Sequence, residues 1–74
     1  MTSLATAFGT AVRHLRQKQG LSQEKLAAVA GLSRTYMSEV ERGATTVSLT
    51  TISKLAEALD ISMSQLLKHV EASR

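Results

Sequence analysis

The sequence predicts an all-α fold, a single compact domain over residues 1–74 built of five short helices, on three observations. The composition favours helix: proline and cysteine are absent, Phe and Tyr occur once each, and Ala, Leu and Ser recur throughout. The sequence is punctuated by apolar-Ser pairs, each followed by an apolar residue four places after the serine: Leu21-Ser22 with Leu26, Leu32-Ser33 with Met37, Val47-Ser48 with Ile52, and Ile61-Ser62 with Leu66. A serine in that place accepts from free N–H groups at a helix start, and the flanking apolar residues staple the entering chain to the first turn. Before these pairs, Leu4, Phe8, Val12 and Leu15 recur at spacings of four, four and three, one buried helical face.

Taken in order, the helices are expected at about 3–19, 23–30, 34–42, 49–59 and 63–70. The first carries Arg16 and Lys18 in its last turn, where cations suit the negative end of the helix dipole, and Gly20 stops it in a left-handed conformation. Gly43 does the same after Glu41-Arg42, and Ser62 with Gln65 makes a capping box for the last helix. The ending Ala72-Ser73-Arg74 is expected to fray. No linker, repeat or second domain is visible.

Composition excludes several functions. Without cysteine there is neither a disulfide nor a thiolate nucleophile. His14 and His69 fall on different helices and are too few for a metal site, so neither metal nor cofactor is expected. With no glycine-rich phosphate loop and no isolated carboxylate pair, an enzyme is not expected either. No apolar run approaches the roughly 20 residues of a membrane span. The start, Met1-Thr2-Ser3-Leu4, lacks the charged and apolar regions of an export signal, which makes the cytoplasm the default compartment and a membrane partner unexpected. Nine Lys and Arg against six Asp and Glu give a net charge of +3, a mild basic bias that suits a polyanion.

The stretch from Gln23 to Arg42 reads as two helices meeting at a tight corner. Ala27 is small enough for close contact, Gly31 permits the bend, and Leu26, Ala30, Leu32, Met37 and Val40 lock one helix across the other. Arg34, Thr35, Ser38 and Glu39 are left on an outward polar face.

Gln23 through Gly43, QEKLAAVAGLSRTYMSEVERG, resembles the helix-turn-helix of the Cro/C1-type (XRE) regulator family, and the likeness extends over nearly the whole chain. Ser33-Arg34-Thr35-Tyr36, Glu41-Arg42-Gly43 and Ser48-Leu49 are particularly similar to the controller proteins of restriction-modification systems. The resemblance implies a lambda-repressor-like five-helix fold, binding to double-stranded operator DNA and regulation of transcription. A prophage-type repressor, an antitoxin or a protein-interaction module are the alternative readings.

A helix fits the major groove with its N-terminal residues nearest the base edges, so Arg34, Thr35, Ser38 and Glu39 become candidates for base contact. Arg34 can donate two bonds to guanine. Thr35 can hydrogen-bond a base or set its methyl group against thymine. Glu39 can accept from cytosine, or pair with Arg42 three residues on. Gln23, Tyr36, Thr45, Thr46 and Ser48 are candidates for phosphate contact, with threonines standing where many controller proteins carry basic or amide side chains. The family pattern further implies an ion pair between Arg16 and Glu41, while Arg13, Lys18 and Lys25 are expected to be solvated. The last two helices hold more apolar residues than one stripe needs, so Met63, Leu66 and Val70 are candidates for the two-fold contact of a homodimer on a palindromic site. A regulator beside a promoter also has room to touch RNA polymerase.

Overall fold

A computed structural model describes residues 2–74. It contains five helices: α1 (Leu4–Lys18), α2 (Gln23–Ala30), α3 (Arg34–Glu41), α4 (Leu49–Ala58) and α5 (Met63–Ala72), with no strand among the described residues. Each begins on a serine. Ser22, Ser33, Ser48 and Ser62 accept from the N–H three residues on, and the box of Ser62 and Gln65 closes from both sides. Ser3 caps α1 in the same way, accepting from the Thr6 N–H at 3.1 Å.

The helices touch as a closed ring in the order α3, α1, α5, α4, α2 and back to α3. Its interior is filled by Phe8, Val12, Leu26, Met37, Val40, Leu55, Leu59, Leu66 and smaller residues. The staple residues Leu21, Leu32, Val47 and Ile61 pack partly buried against this core, so each cap ties its helix to the centre.

Backbone shape at the corners follows from residue type. Gly31 ends α2 at φ +72, a conformation costly for a residue with a Cβ, and from there the Leu32 N–H reaches back to the Ala27 carbonyl at 2.8 Å. The fourth corner lacks glycine: Asp60 takes the left-handed conformation after α4, at φ 58. Asp is one of the few residues that tolerate it, and its ambiguity is why the sequence alone marks that stop less clearly. Gly9 serves close approach instead. A Cβ there would collide with the backbone oxygens of Val40 and Glu41, so α1 and α3 meet backbone to backbone.

Two expectations are corrected. Leu66 and Val70 are 0% and 2% exposed, and Met63 packs partly buried against the same core. The reason is register: α5 packs on both α1 and α4, and positions 66 and 70, four apart, form its inward face. Leu66 and Val70 are thus core residues, while Met63 keeps part of its surface and Leu67, one residue on from Leu66, is 40% exposed. The last helix also runs on through Ala72, two residues past its expected end, and the Ser73 hydroxyl donates to the His69 carbonyl at 2.9 Å.

Candidate nucleic-acid interface

The corner between α2 and α3 determines which way α3 faces. Met37, Val40 and Glu41 are buried, and Arg34 and Thr35, in the first turn, are exposed, with Ser38 and Glu39 half-buried beside them. Gln23, Arg34, Thr35, Ser38 and Arg42 line one open depression on the outside of the corner. It gathers three of the four base-contact candidates and one phosphate-contact candidate, and every one of its side chains can donate a hydrogen bond.

Arg42 joins this group, although it is not among the contact candidates that the sequence suggests. The signal was available: Arg34, Ser38 and Arg42 are spaced by four and so share a helical face. Glu39 lies outside the depression, and among the described residues no ion pair joins it to Arg42. Its backbone carbonyl accepts from the Ala44 N–H at 2.9 Å and closes the end of α3.

Arg34 is loosely held. Among the described residues its one ionic neighbour is the exposed Glu24, at 3.9 Å from the guanidinium. Two cationic side chains thus stand on a concave polar surface at the head and foot of α3, with no buried contact fixing their tips.

Behind this face lies a dense polar knot. Arg16 donates to both oxygens of Glu41, at 2.7 and 3.0 Å, and to the Leu21 carbonyl at 2.9 Å. Gln23 donates a third bond to the carboxylate at 3.2 Å, and Arg13, expected in solvent, approaches it at 3.5 Å. Burial alone pushes the Glu41 carboxyl up. The hydrogen bonds from Arg16 and Gln23 and the charges of Arg16 and Arg13 outweigh that burial and hold it below the usual carboxylate range. Reciprocally, the bond to Glu41 raises the Arg16 guanidinium against the opposing effect of burial. Gln23 therefore connects the knot to the depression: one amide N–H is engaged by Glu41 and the second remains for an outside acceptor.

A second polar group forms at the start of α4. The Tyr36 ring packs against the core while its hydroxyl lies 3.5 Å from that of Thr51, which accepts from the Ser48 hydroxyl at 3.2 Å. Tyr36 and Ser48, both phosphate candidates, are joined through this buried threonine. Thr45 and Thr46 join neither group. The Thr45 hydroxyl donates to the Thr46 carbonyl at 3.4 Å, and Thr46 lines an apolar groove with Leu4, Phe8, Val47, Ile52 and Leu67.

A buried corner presenting a polar, cation-bearing helix face defines a helix-turn-helix protein. Residues 12–66 match the Helix-turn-helix family, and the chain belongs to that family, of XRE type, whose members are DNA-binding regulators rather than enzymes. It is 48% identical over 61 residues to Control protein C.BamHI of Bacillus amyloliquefaciens, covering 81% of this chain and 75% of that one. Control protein C.MunI of a Mycoplasma species is 39% identical over 72 residues, 96% of this chain and 97% of its own. The crystal structure of the restriction-modification controller protein C.AhdI from Aeromonas hydrophila superimposes with a TM-score of 0.81 at 52% identity, covering 84% of this chain and 94% of that one.

Proposed function

We propose that this chain is a sequence-specific double-stranded DNA-binding regulator of transcription that acts as a homodimer on a palindromic operator, in the role of a restriction-modification controller protein. The observation that carries this reading is the depression of Gln23, Arg34, Thr35, Ser38 and Arg42, in which exposed donors surround the first turn of a rigidly seated helix. Arg34 and Thr35 read base edges from the major groove, with Ser38 a turn further in and Glu39 at the margin of the contact. Gln23 holds a phosphate with its free amide N–H. Tyr36, Ser48 and the loop threonines Thr45 and Thr46 supply the second side of a phosphate clamp, near the positive end of α4. Similarity to the control proteins supports the restriction-modification role.

Among the described residues no helix is long and apolar enough to cross a membrane, and the protein works in the cytoplasm, where its DNA lies. Bound beside a promoter, the dimer is also placed to touch RNA polymerase.

Selection of bound sites from random duplex DNA tests the proposal. The expected result is a two-fold symmetric consensus, with half-sites one helical turn (roughly 34 Å) apart and affinity falling steeply with salt. Recovery of no consensus, or of a single asymmetric half-site at every protein concentration, overturns it.

A further inference from the structure

We infer, resting on the DNA reading above, that Arg13 of α1 is a further DNA-binding residue: together with Gln23 it grips one phosphate group of the duplex. The contact would then extend from the helix-turn-helix onto α1, outside the depression on α3.

Spacing along α1 sets where Arg13 can reach. Thr6, Gly9, Arg13 and Arg16 follow at intervals of three, four and three, which makes them one helical stripe. That stripe lies along the end of α3. A Cβ on Gly43 would collide with Thr6, a Cβ on Gly9 would collide with the backbone of Val40 and Glu41, and both arginines reach the Glu41 carboxylate. The close backbone approach at the two glycines therefore holds the root of Arg13 beside α3, while its side chain stays 49% exposed. The two arginines are not equivalent. Arg16 is 13% exposed and uses its Nε and both terminal nitrogens on Glu41 and the Leu21 carbonyl. Arg13 has only the 3.5 Å approach of its Nε to Glu41, and no other ion pair among the described residues. Its guanidinium is a planar fork of N–H donors, so the terminal nitrogens are left for an acceptor outside the protein.

The meeting point is a single atom. Oε1 of Glu41 accepts from the Gln23 amide at 3.2 Å and has the Arg13 Nε 3.5 Å away. Two donor groups that converge on one oxygen are close enough to share one phosphate group. The Glu41 side chain is itself wholly buried, so it sets the spacing of the two donors without facing the ligand. Charge favours the same ligand. The paired bonds from Arg16 already neutralise Glu41, and Arg13 adds a positive charge with no counter-charge of its own. That surplus stands beside Gln23, the side chain that also lines the depression with Arg34, Thr35, Ser38 and Arg42. An anion is attracted there, and a guanidinium meets phosphate oxygens with parallel N–H donors.

Salt titrations of binding to the selected operator and to a non-cognate duplex, read by fluorescence anisotropy, test the inference. In Arg13→Gln the slope of log affinity against log salt is expected to fall by about 0.9 for each bound chain, on both duplexes alike, because one phosphate contact fewer releases fewer counterions. Lys68→Gln removes the same charge from an exposed position on α5 and should leave the slope unchanged. Arg13→Lys should restore most of it. R13Q leaves the bonds between Arg16 and Glu41 in place, so its circular dichroism and melting temperature should match the wild type. A neutral methylphosphonate moved step by step through the half-site then locates the contact: one position is expected to weaken the wild type but neither R13Q nor Gln23→Ala. A wild-type slope in R13Q, a change no larger than that of K68Q, or different sensitive phosphates for R13Q and Q23A overturns the inference while base reading by Arg34 stands. A wild-type chain whose binding to every duplex is absent or indifferent to salt overturns the DNA reading itself, and the role of Arg13 with it.

Discussion

The two sides of α3 are made by the same eight residues and are held in opposite ways. On the inner side Met37, Val40 and Glu41 are buried, the Glu41 carboxylate is gripped by Arg16 and Gln23, and Gly9 lets the backbone of α1 lie against that of α3. On the outer side Arg34 and Thr35 are exposed, and the arginine has one ionic contact, 3.9 Å long, to a carboxylate that is itself exposed. Such a division suits a reading helix. The backbone is ordered before any ligand arrives, so binding has to order only side chains, whose tips remain free to adopt what the ligand requires.

The contrast breaks most severely from within. Glu41→Ala leaves the Arg16 guanidinium, 13% exposed, without its bidentate partner, and removing one member of a buried pair costs about 3–5 kcal/mol. Urea unfolding should register that loss, and DNA binding should fail along with folding. The pair also sets an acid limit. Because the folded carboxyl titrates below its unfolded value of about 4.3, its stabilisation is complete above that pH and is lost as pH falls through the folded value. Glu41→Gln should accordingly show a shallower decline in stability below pH 4 than the wild type. Gly9→Ala follows in size, at about 1–3 kcal/mol by overpacking, because the atoms its Cβ meets are backbone carbonyls that cannot rotate aside. Equal stability in G9A would show that α1 and α3 can separate without penalty.

These two seam residues were not equally legible in the sequence. Helix starts were, because a serine flanked by apolar residues is a local signal, and five helices with the glycine stops at Gly20, Gly31 and Gly43 follow from it. The outward direction of Arg34 and Thr35 was legible as well, since Met37 and Val40 fix the inward face by spacing alone. Gly9 was not, because a glycine inside a helix reads only as a weak residue until the partner helix is known to cross there. The burial of two dimer candidates, Leu66 and Val70, was hidden for a related reason. Spacing shows that Met63, Leu66 and Val70 share a face of α5 but not that α1 and α4 both cover it, and the exposed Leu67 lay one register away. The gathering of Arg42 with Gln23 across the corner, like the grip of Gln23 on Glu41, is tertiary information that no local pattern holds.

On the outer side, substitution should separate binding from folding. Arg34→Ala removes no buried contact, so its unfolding free energy should stay within about 0.5 kcal/mol of the wild type. Affinity for the selected operator should fall by about 1–3 kcal/mol, concentrated at one base pair of each half-site. Electrophoretic mobility shifts with the consensus and with single-base variants measure this. A loss that is uniform across all sequences would instead make Arg34 a phosphate contact and leave base reading to Thr35 and Ser38.

The smallest expected effect is the most discriminating. Glu24 lies in the first turn of α2, where a carboxylate favours the helix dipole by about 0.3–1 kcal/mol, and it is the one acidic group paired with Arg34. Glu24→Gln should lower stability by less than about 1 kcal/mol, since an exposed pair contributes little. Binding should move the other way. A negative charge beside the phosphate backbone opposes association, so E24Q should bind non-cognate duplex more tightly than the wild type at low salt, the difference shrinking as salt is added. Seam variants lower both quantities together because they act through the fold. A variant that loses stability while gaining affinity acts on the outer face alone. If the ratio of operator to non-cognate affinity also falls in E24Q, Glu24 steers the Arg34 guanidinium toward its base before contact. An unchanged ratio reduces Glu24 to simple repulsion of the backbone, leaving the geometry of α3 as the source of discrimination.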